Sequence, residues 1–436
     1  MSVGSGGTGD PADGEADAAR PGRAADRIWF AHALRGIAAL VVVWEHLFVG
    51  WWHIPVLATL YLKSPEIPPT PAPADLFYLA PFEWLAQNNI NLAQVGVATF
   101  FVISGFVIPM SLERYSVGRY LVGRVFRLYP VWIAATVLAG AAFAVQAALQ
   151  GTPEPFSAAT WVWNALLVND LVGYATANPV TWTLLIELKF YLLCALLAVV
   201  GGTRRIAPIA VSLVALTALA LSTQSLYVDR ALAGQDEVAT VVFALGFSAP
   251  FICFLFIGVA IHNAFRGHWS APTSLAVGAA ALGAHAVGLF GGVMPDVTTT
   301  LFFVSFCAGL ALFLAAYALR AHIPRSRVLD RLAHISYPLY ATHYVVGGVL
   351  SLALFRATGW ALASILVSAL VVFALSWAVN RWIEEPANRY GKRVRLPRPR
   401  RLGEMAPAPE PVAAGAVAIA ALPDLGTAAA AEQTDG

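Results

Sequence analysis

The sequence predicts an all-α, polytopic integral membrane protein with about ten transmembrane helices and both termini in the cytoplasm. Three observations carry that expectation. The 436 residues are 58% hydrophobic and only 12% charged, against roughly 45–50% and about 25% in soluble domains. So little charge cannot cover a globule of this size. Aromatic residues make up 11% of the chain, which excludes disorder as its main state. Finally, the apolar residues gather into runs near the length of about 20 residues that a bilayer requires.

Ten such runs lie at 29–49, 94–112, 125–148, 181–200, 206–222, 239–261, 272–291, 298–319, 334–355 and 360–382. Helices of a soluble core would show a polar stripe, and most of these runs do not. Residues 1–27 are Gly, Ala, Asp and Pro without an apolar core, and read as a disordered N-terminal tail rather than a signal peptide. Residues 28–390 form the membrane domain. Residues 391–436 read as a tail that is first basic, from Lys392 to Arg401, and then rich in Pro and Ala. Its basic part suits anionic inner-leaflet lipid, and the remainder is expected to be disordered.

The loops orient the chain. With the N-terminus inside, cytoplasmic segments hold 22 of the 27 lysines and arginines, and outer segments hold only Lys63, Arg230 and Arg356. That bias supports an even number of spans with both ends inside. Two outer segments are long, 51–92 with seven prolines and 150–180 without Lys or Arg. Each either caps a site from outside or merely connects.

Arg35 and Lys189 complete the 27 and lie within runs, as do Glu45, His46 and Glu187. A charge at the centre of a membrane helix costs about 2.5–3.5 kcal/mol on insertion scales, so each is a functional candidate. Arg35 and His46 are eleven residues apart. At about 100° per residue they share a face, about 16 Å apart along the axis. A fixed cation near the inside suits an anionic group, and a histidine further along suits proton chemistry. An arginine snorkelling to inner headgroups and a histidine at the outer interface would show the same spacing. Glu187 and Lys189, two apart, do not face each other. Glu187 therefore needs another partner, with Arg35, Arg124 and His46 as candidates. Arg124 and Arg127 form a cationic face apt for phosphate, or an ordinary inner anchor. Ser104-Gly105 reads mainly as close helix packing, with a nucleophilic Ser104 as the sharper alternative. His343 reads as a packed or interfacial histidine.

Cys194, Cys253 and Cys307 form no C-x-x-C pair and read as small buried hydrophobes. No metal constellation, phosphate-binding loop or nucleophile elbow appears. A net charge of +2 gives no reason to expect nucleic acid.

Taken together, the motifs resemble the membrane-bound acyltransferase 3 family. Leu34-Arg35-Gly36-Ile37-Ala38-Ala39-Leu40 through His46 matches its R-G-x-A-A opening and R-x10-H spacing. Phe100–Ile108 matches F-F-V-x-S-G-F-x-I, and Arg124–Pro130 matches R-x-x-R-L-x-P. Trp182–Tyr191 resembles W-S-L-x-x-E-x-x-F-Y with Thr183 in place of Ser, and Ile335–His343 resembles I-S-Y-x-L-Y-x-x-H. Glu384-Glu385-Pro386 resembles a closing E-[RK]-P, with Glu385 replacing the basic residue. The resemblance runs in family order over about 28–390 and implies a stand-alone form without a fused SGNH domain.

It further implies an O-acyltransferase with catalytic His46, Arg35 and Glu187, and with Arg124 and Arg127 binding the donor. The donor would be acyl-CoA, as acetyl-CoA in the simplest case, used as a co-substrate with no permanently bound cofactor and no metal. The acceptor would be a hydroxyl of a cell-surface glycan, a glycolipid or a macrolide-type natural product. The setting would be the cell membrane, with the lipid bilayer as partner. The alternative is a proton-coupled transporter using the same buried charges, although no internal repeat supports it.

Overall fold

The computed structural model of the protein describes residues 21–69, 71, 78–232, 237–292 and 296–394. The chain divides at Arg395. The second unit, Leu396–Gly436, lies outside the described residues, and so do residues 1–20. Both expected tails fall largely there.

Among the described residues ten helices are long and apolar enough to cross a membrane, in the order of the ten runs. The first, α1 (Pro21–Trp44), starts at Pro21 rather than at 28. A proline in the first helical position has no N–H to lose, and Ala24 and Ala25 continue the turn. A π-helical stretch, Glu45–Gly50, extends α1. Three short helices follow, Trp51–His53, Val56–Tyr61 and Ala80–Gln87. Then come α2 (Leu92–Arg114), α3 (Val117–Gln150), α4 (Ala158–Ala165), α5 (Thr181–Val200) and α6 (Ile206–Leu232). They are followed by α7 (Glu237–Phe265), α8 (Ala271–Phe290), α9 (Asp296–Ala318) and α10 (Arg327–Thr342). A second π-helical stretch, His343–Gly347, joins α10 to α11 (Gly348–Thr358). A third, Asn380–Glu384, joins α12 (Ala361–Val379) to α13 (Glu385–Arg393). The basic stretch from Lys392 thus begins as the last turn of a helix.

Polar residues at the loop exits start the helices. Asn91 opens α2 by accepting from Gln94 N at 3.0 Å, and Ser116, Ser157, Ser270 and Ser326 cap α3, α4, α8 and α10 in the same way. Pro338 lies inside α10 and donates no ladder bond. The carbonyl it leaves free, that of His334, accepts from Asn380 Nδ2 at 3.0 Å, so the break is mended by the neighbouring span.

Small residues set a close helix crossing. Gly105 of α2 and Gly258 of α7 meet backbone to backbone. A Cβ on Gly258 would lie 2.3 Å from Val102 O and one on Gly105 would lie 2.0 Å from Leu255 O. The packing reading of Ser104-Gly105 therefore holds for its glycine. Gly258→Ala is expected to lower stability by about 1–3 kcal/mol through overpacking. A fall in the thermal midpoint in detergent would show it. Gly283→Ala, where the new Cβ meets nothing within 4 Å, should leave the midpoint in place.

The segment 150–180 does more than connect the spans of the bundle. It folds back into it, with α4 running antiparallel along α3. Phe156 packs on Phe143, Trp132 Nε1 donates to Asn164 O at 2.8 Å, and Tyr129 Oη donates to Leu166 O at 3.1 Å. Trp132 is about 27 Å along the helix from Gln150, so this is a re-entrant segment. Such backbone is tolerated at membrane depth only if its polar groups are satisfied. Buried Asn164 does that here. Its Nδ2 donates to Thr160 O and Ala175 O, and its Oδ1 accepts from Ala177 N. Lys189 reaches into the same segment, pairing with Asp170 at 2.5 Å and donating to Ser248. It serves the fold, away from the residues described next.

Candidate active site

One end of the bundle, here the basic end, gathers the arginine-rich connections. Between α1, α2, α3, α5 and α10 a cavity of about 400 Å³ opens there. Its walls carry five cations, Arg35, Arg119, Arg124, Arg127 and Lys392, against one carboxylate, Glu187. Each comes from a different constraint. Arg35 sits on α1 one residue before Gly36, where the backbone of α10 is so close that a Cβ would be 2.9 Å from Ala333 N. Arg124 and Arg127 lie one turn apart on α3. Arg119 ties α3 to the end of α13, donating to the carbonyls of Lys392 and Val394.

The cations are not equally committed. Arg124 donates to Ser111 Oγ at 2.7 Å and lies over the rings of Tyr120 and Tyr191, at 5.1 and 5.0 Å. Arg35 and Arg127 make no hydrogen bond or ion pair with any described residue. Two uncommitted guanidinium groups in one cavity suit an anion with several oxygens, such as a phosphate ester.

Glu187 is not paired with Arg35, Arg124 or His46, the three partners its sequence position suggested. Its Oε1 accepts from Ser104 Oγ at 2.7 Å and from Tyr191 Oη at 2.6 Å. Ser104 therefore lines the cavity and is hydrogen-bonded to a carboxylate. In the cavity wall a bond joins α5 to α10, Thr183 Oγ1 to Tyr340 Oη at 2.8 Å. Thr183 supplies the hydroxyl that a serine would supply at that position.

His46 does not line this cavity. It stands in the first π-helical stretch, where the winding departs from 3.6 residues per turn. Its partner is His343, in the second π-helical stretch. The rings lie nearly coplanar, edge to edge, with centroids 5.1 Å apart and an angle of 11° between them, and His46 Nδ1 is 2.8 Å from His343 Nε2. π-helical turns inside α-helices are frequent at functional sites, and here two of them face each other.

The hydrogen-bond partners assign the tautomers. His343 Nδ1 lies 3.1 Å from Leu339 O and 2.9 Å from Tyr340 O. Carbonyls only accept, so Nδ1 carries the proton and, in the neutral ring, Nε2 is the acceptor. His46 therefore donates from Nδ1 to His343, and its own lone pair sits on Nε2. That atom makes no hydrogen bond with a described residue. The buried neighbour Glu45 points elsewhere, accepting from Asn91 Nδ2 at 2.9 Å.

His343 is the residue that the sequence reading undervalued. Its only signal was its place three residues after Tyr340 at the end of the Ile335–His343 motif, and a pairing across 297 positions cannot be seen in spacing. The same holds for two groups of His and acidic residues at the basic end, His32–Asp330–His334 and Glu113–His262–His268, whose ligand atoms lie within 4.8 Å. The second group does not suit a cation. Glu113 already accepts from both histidines and pairs with Arg204 at 3.1 Å and Arg266 at 3.3 Å.

A family model described as an acyltransferase domain matches residues 28–381 of the chain. No curated protein and no solved structure matches it.

Proposed function

The chain belongs to the acyltransferase family that this match defines, a membrane family, and from that premise we propose that it moves an acyl group from acyl-CoA to a hydroxyl, with His46 as general base. Membership already implies an acyl donor, a hydroxyl acceptor and a membrane setting. It does not favour the carrier alternative.

The observation that carries the proposal is the hydrogen-bond chain Leu339/Tyr340 carbonyls–His343–His46, which leaves the lone pair of His46 Nε2 free for a proton. In the reaction, the acceptor oxygen attacks the thioester carbonyl while His46 Nε2 takes its proton. The tetrahedral intermediate collapses with cleavage of the C–S bond. The thiolate of CoA leaves and takes the proton back from His46, and the ester remains on the acceptor. His343 holds the ring of His46 in the tautomer this requires and stabilises the imidazolium by accepting its Nδ1–H.

The cation-rich cavity suits the other half of the donor. Arg35 and Arg127 face its phosphates, the thioester arm runs along α1, and Glu187 fixes Ser104 and Tyr191 in the wall between. The charge bias of the loops supports a cytoplasmic cavity mouth, with the donor on the inner side of the membrane. Acetyl is the simplest group to move. A surface glycan, a glycolipid or a macrolide-type metabolite fits the acceptor role.

The test is acyl-CoA consumption by membranes containing the protein, supplied with a panel of glycans and hydroxylated metabolites. Stoichiometric release of CoA with ester formed on one acceptor class is expected. Solute accumulation in sealed vesicles without CoA release would overturn the proposal.

A further inference from the structure

A second groove lies at the other end of the bundle, away from the donor cavity. It runs between the last four turns of α3 and α11, with a volume of about 630 Å³. Its floor is apolar, formed by Leu138, Ala142 and Val145 on one side and Val349 and Ala353 on the other. At its mouth stand Arg356, Ser64 and Gln150. We propose that this groove holds one anionic phospholipid, with an acyl chain along the floor and its phosphate on Arg356.

Three observations point to that occupant. The first is charge. The sequence places only three lysines and arginines at this end. Arg356 is exposed and donates to Ser64 Oγ at 2.7 Å, and no carboxylate of a described residue pairs with it. Ser64 is itself held by donating to the backbone carbonyl of Glu66 at 2.5 Å. A guanidinium fixed by one hydroxyl still has donors for a phosphate.

The second is an acceptor left over. Gln150 Oε1 is buried and has no hydrogen-bond partner, and an unmet buried acceptor is costly. A headgroup hydroxyl beside the phosphate would satisfy it, which selects phosphatidylglycerol over phosphatidylcholine. The neighbouring Gln146 does not compete, because its Nε2 already donates to Leu62 O and Lys63 O.

The third is length. Leu138 to Gln150 spans about 18 Å of helix and Val346 to Arg356 about 15 Å. One leaflet of hydrocarbon is about 15 Å deep. The groove thus follows a single acyl chain from the surface to the bilayer midplane.

Native mass spectrometry of the full chain tests this, after detergent exchange and titration with phosphatidylglycerol or phosphatidylcholine. One phosphatidylglycerol is expected to remain bound, at least tenfold tighter than phosphatidylcholine. Arg356→Gln should abolish that preference, and Ala142→Trp, which fills the floor, should displace the lipid. Thermal midpoints equal to that of the unaltered chain would show both variants folded. A variant that unfolds is replaced by the milder Arg356→Lys or Ala142→Leu, for which weakened retention is expected. Equal retention of the two lipids by the unaltered chain would overturn the proposal. So would a preference that survives Arg356→Gln, which would mark an ordinary boundary lipid.

Discussion

Replacing His46 with glutamine is expected to slow acyl transfer by about 10²- to 10⁴-fold while leaving donor affinity unchanged. Glutamine keeps polar atoms at the site but has no lone pair able to hold a proton through the reaction. The split distinguishes a base from a packing residue, because His46 lies outside the cavity that the cations line. Turnover and equilibrium binding of a non-hydrolysable acyl-CoA analogue would be measured on the same preparations. The companion substitution is His343→Phe, which removes the acceptor for the Nδ1 proton of His46. A misplaced catalytic group costs on the order of 10²-fold, so kcat should fall by about that much with KM for the donor unchanged. His343→Gln, whose carbonyl can take the same bond, should recover part of it. Full turnover with His46→Gln would remove the base and move attention to Ser104 and Glu187, which are hydrogen-bonded to each other.

The second large effect is expected on binding. Arg35→Gln together with Arg127→Gln removes the two cavity arginines that have no partner among the described residues. A hydrogen bond to a charged group contributes about 1.5–3 kcal/mol, and about 1.4 kcal/mol is a factor of ten. The double variant should therefore weaken acyl-CoA binding by at least about 10²-fold, and binding by the unaltered chain should weaken as salt rises. Because neither arginine is spent on an internal ion pair, the loss should come without a matching fall in stability. Unchanged acyl-CoA affinity in the double variant would show the donor placement to be wrong.

How far the sequence carried the reading depends on the kind of evidence each residue offered. All ten spans were legible because membrane crossing imposes length and composition, which are properties of single segments. Arg35 and Glu187 were legible as candidates for the same reason, since a charge in an apolar run stands out alone, whereas the Arg124–Arg127 pair at the end of its run read equally as an ordinary anchor. Partners were not legible. Glu187 turned out to hold Ser104 and Tyr191, and His46 turned out to hold His343, because those bonds join different helices. The re-entrant fold of 150–180 was hidden as well. Nothing local marks Asn164 as the residue that satisfies a buried turn. Where the composition of one segment decided the outcome, the sequence sufficed. Where two segments had to meet, it did not.

The wider winding over His343–Gly347 gives the protein an unusual point of failure. Losing a single residue within it would let the backbone ladder close as an ordinary α-helix. The ninth span would shorten by only about 1.5 Å and still be long enough to cross the bilayer. The flanking helices would keep nearly the same phase, because a π-helical turn holds about one residue more than an α-helical turn, but the turn that presents His343 to His46 would be gone. The chemistry would then depend on the number of residues in that span as much as on their identity. A one-codon deletion there would leave a membrane protein of nearly the same composition, hydropathy and span count, with acyl transfer slowed about as much as by His343→Phe.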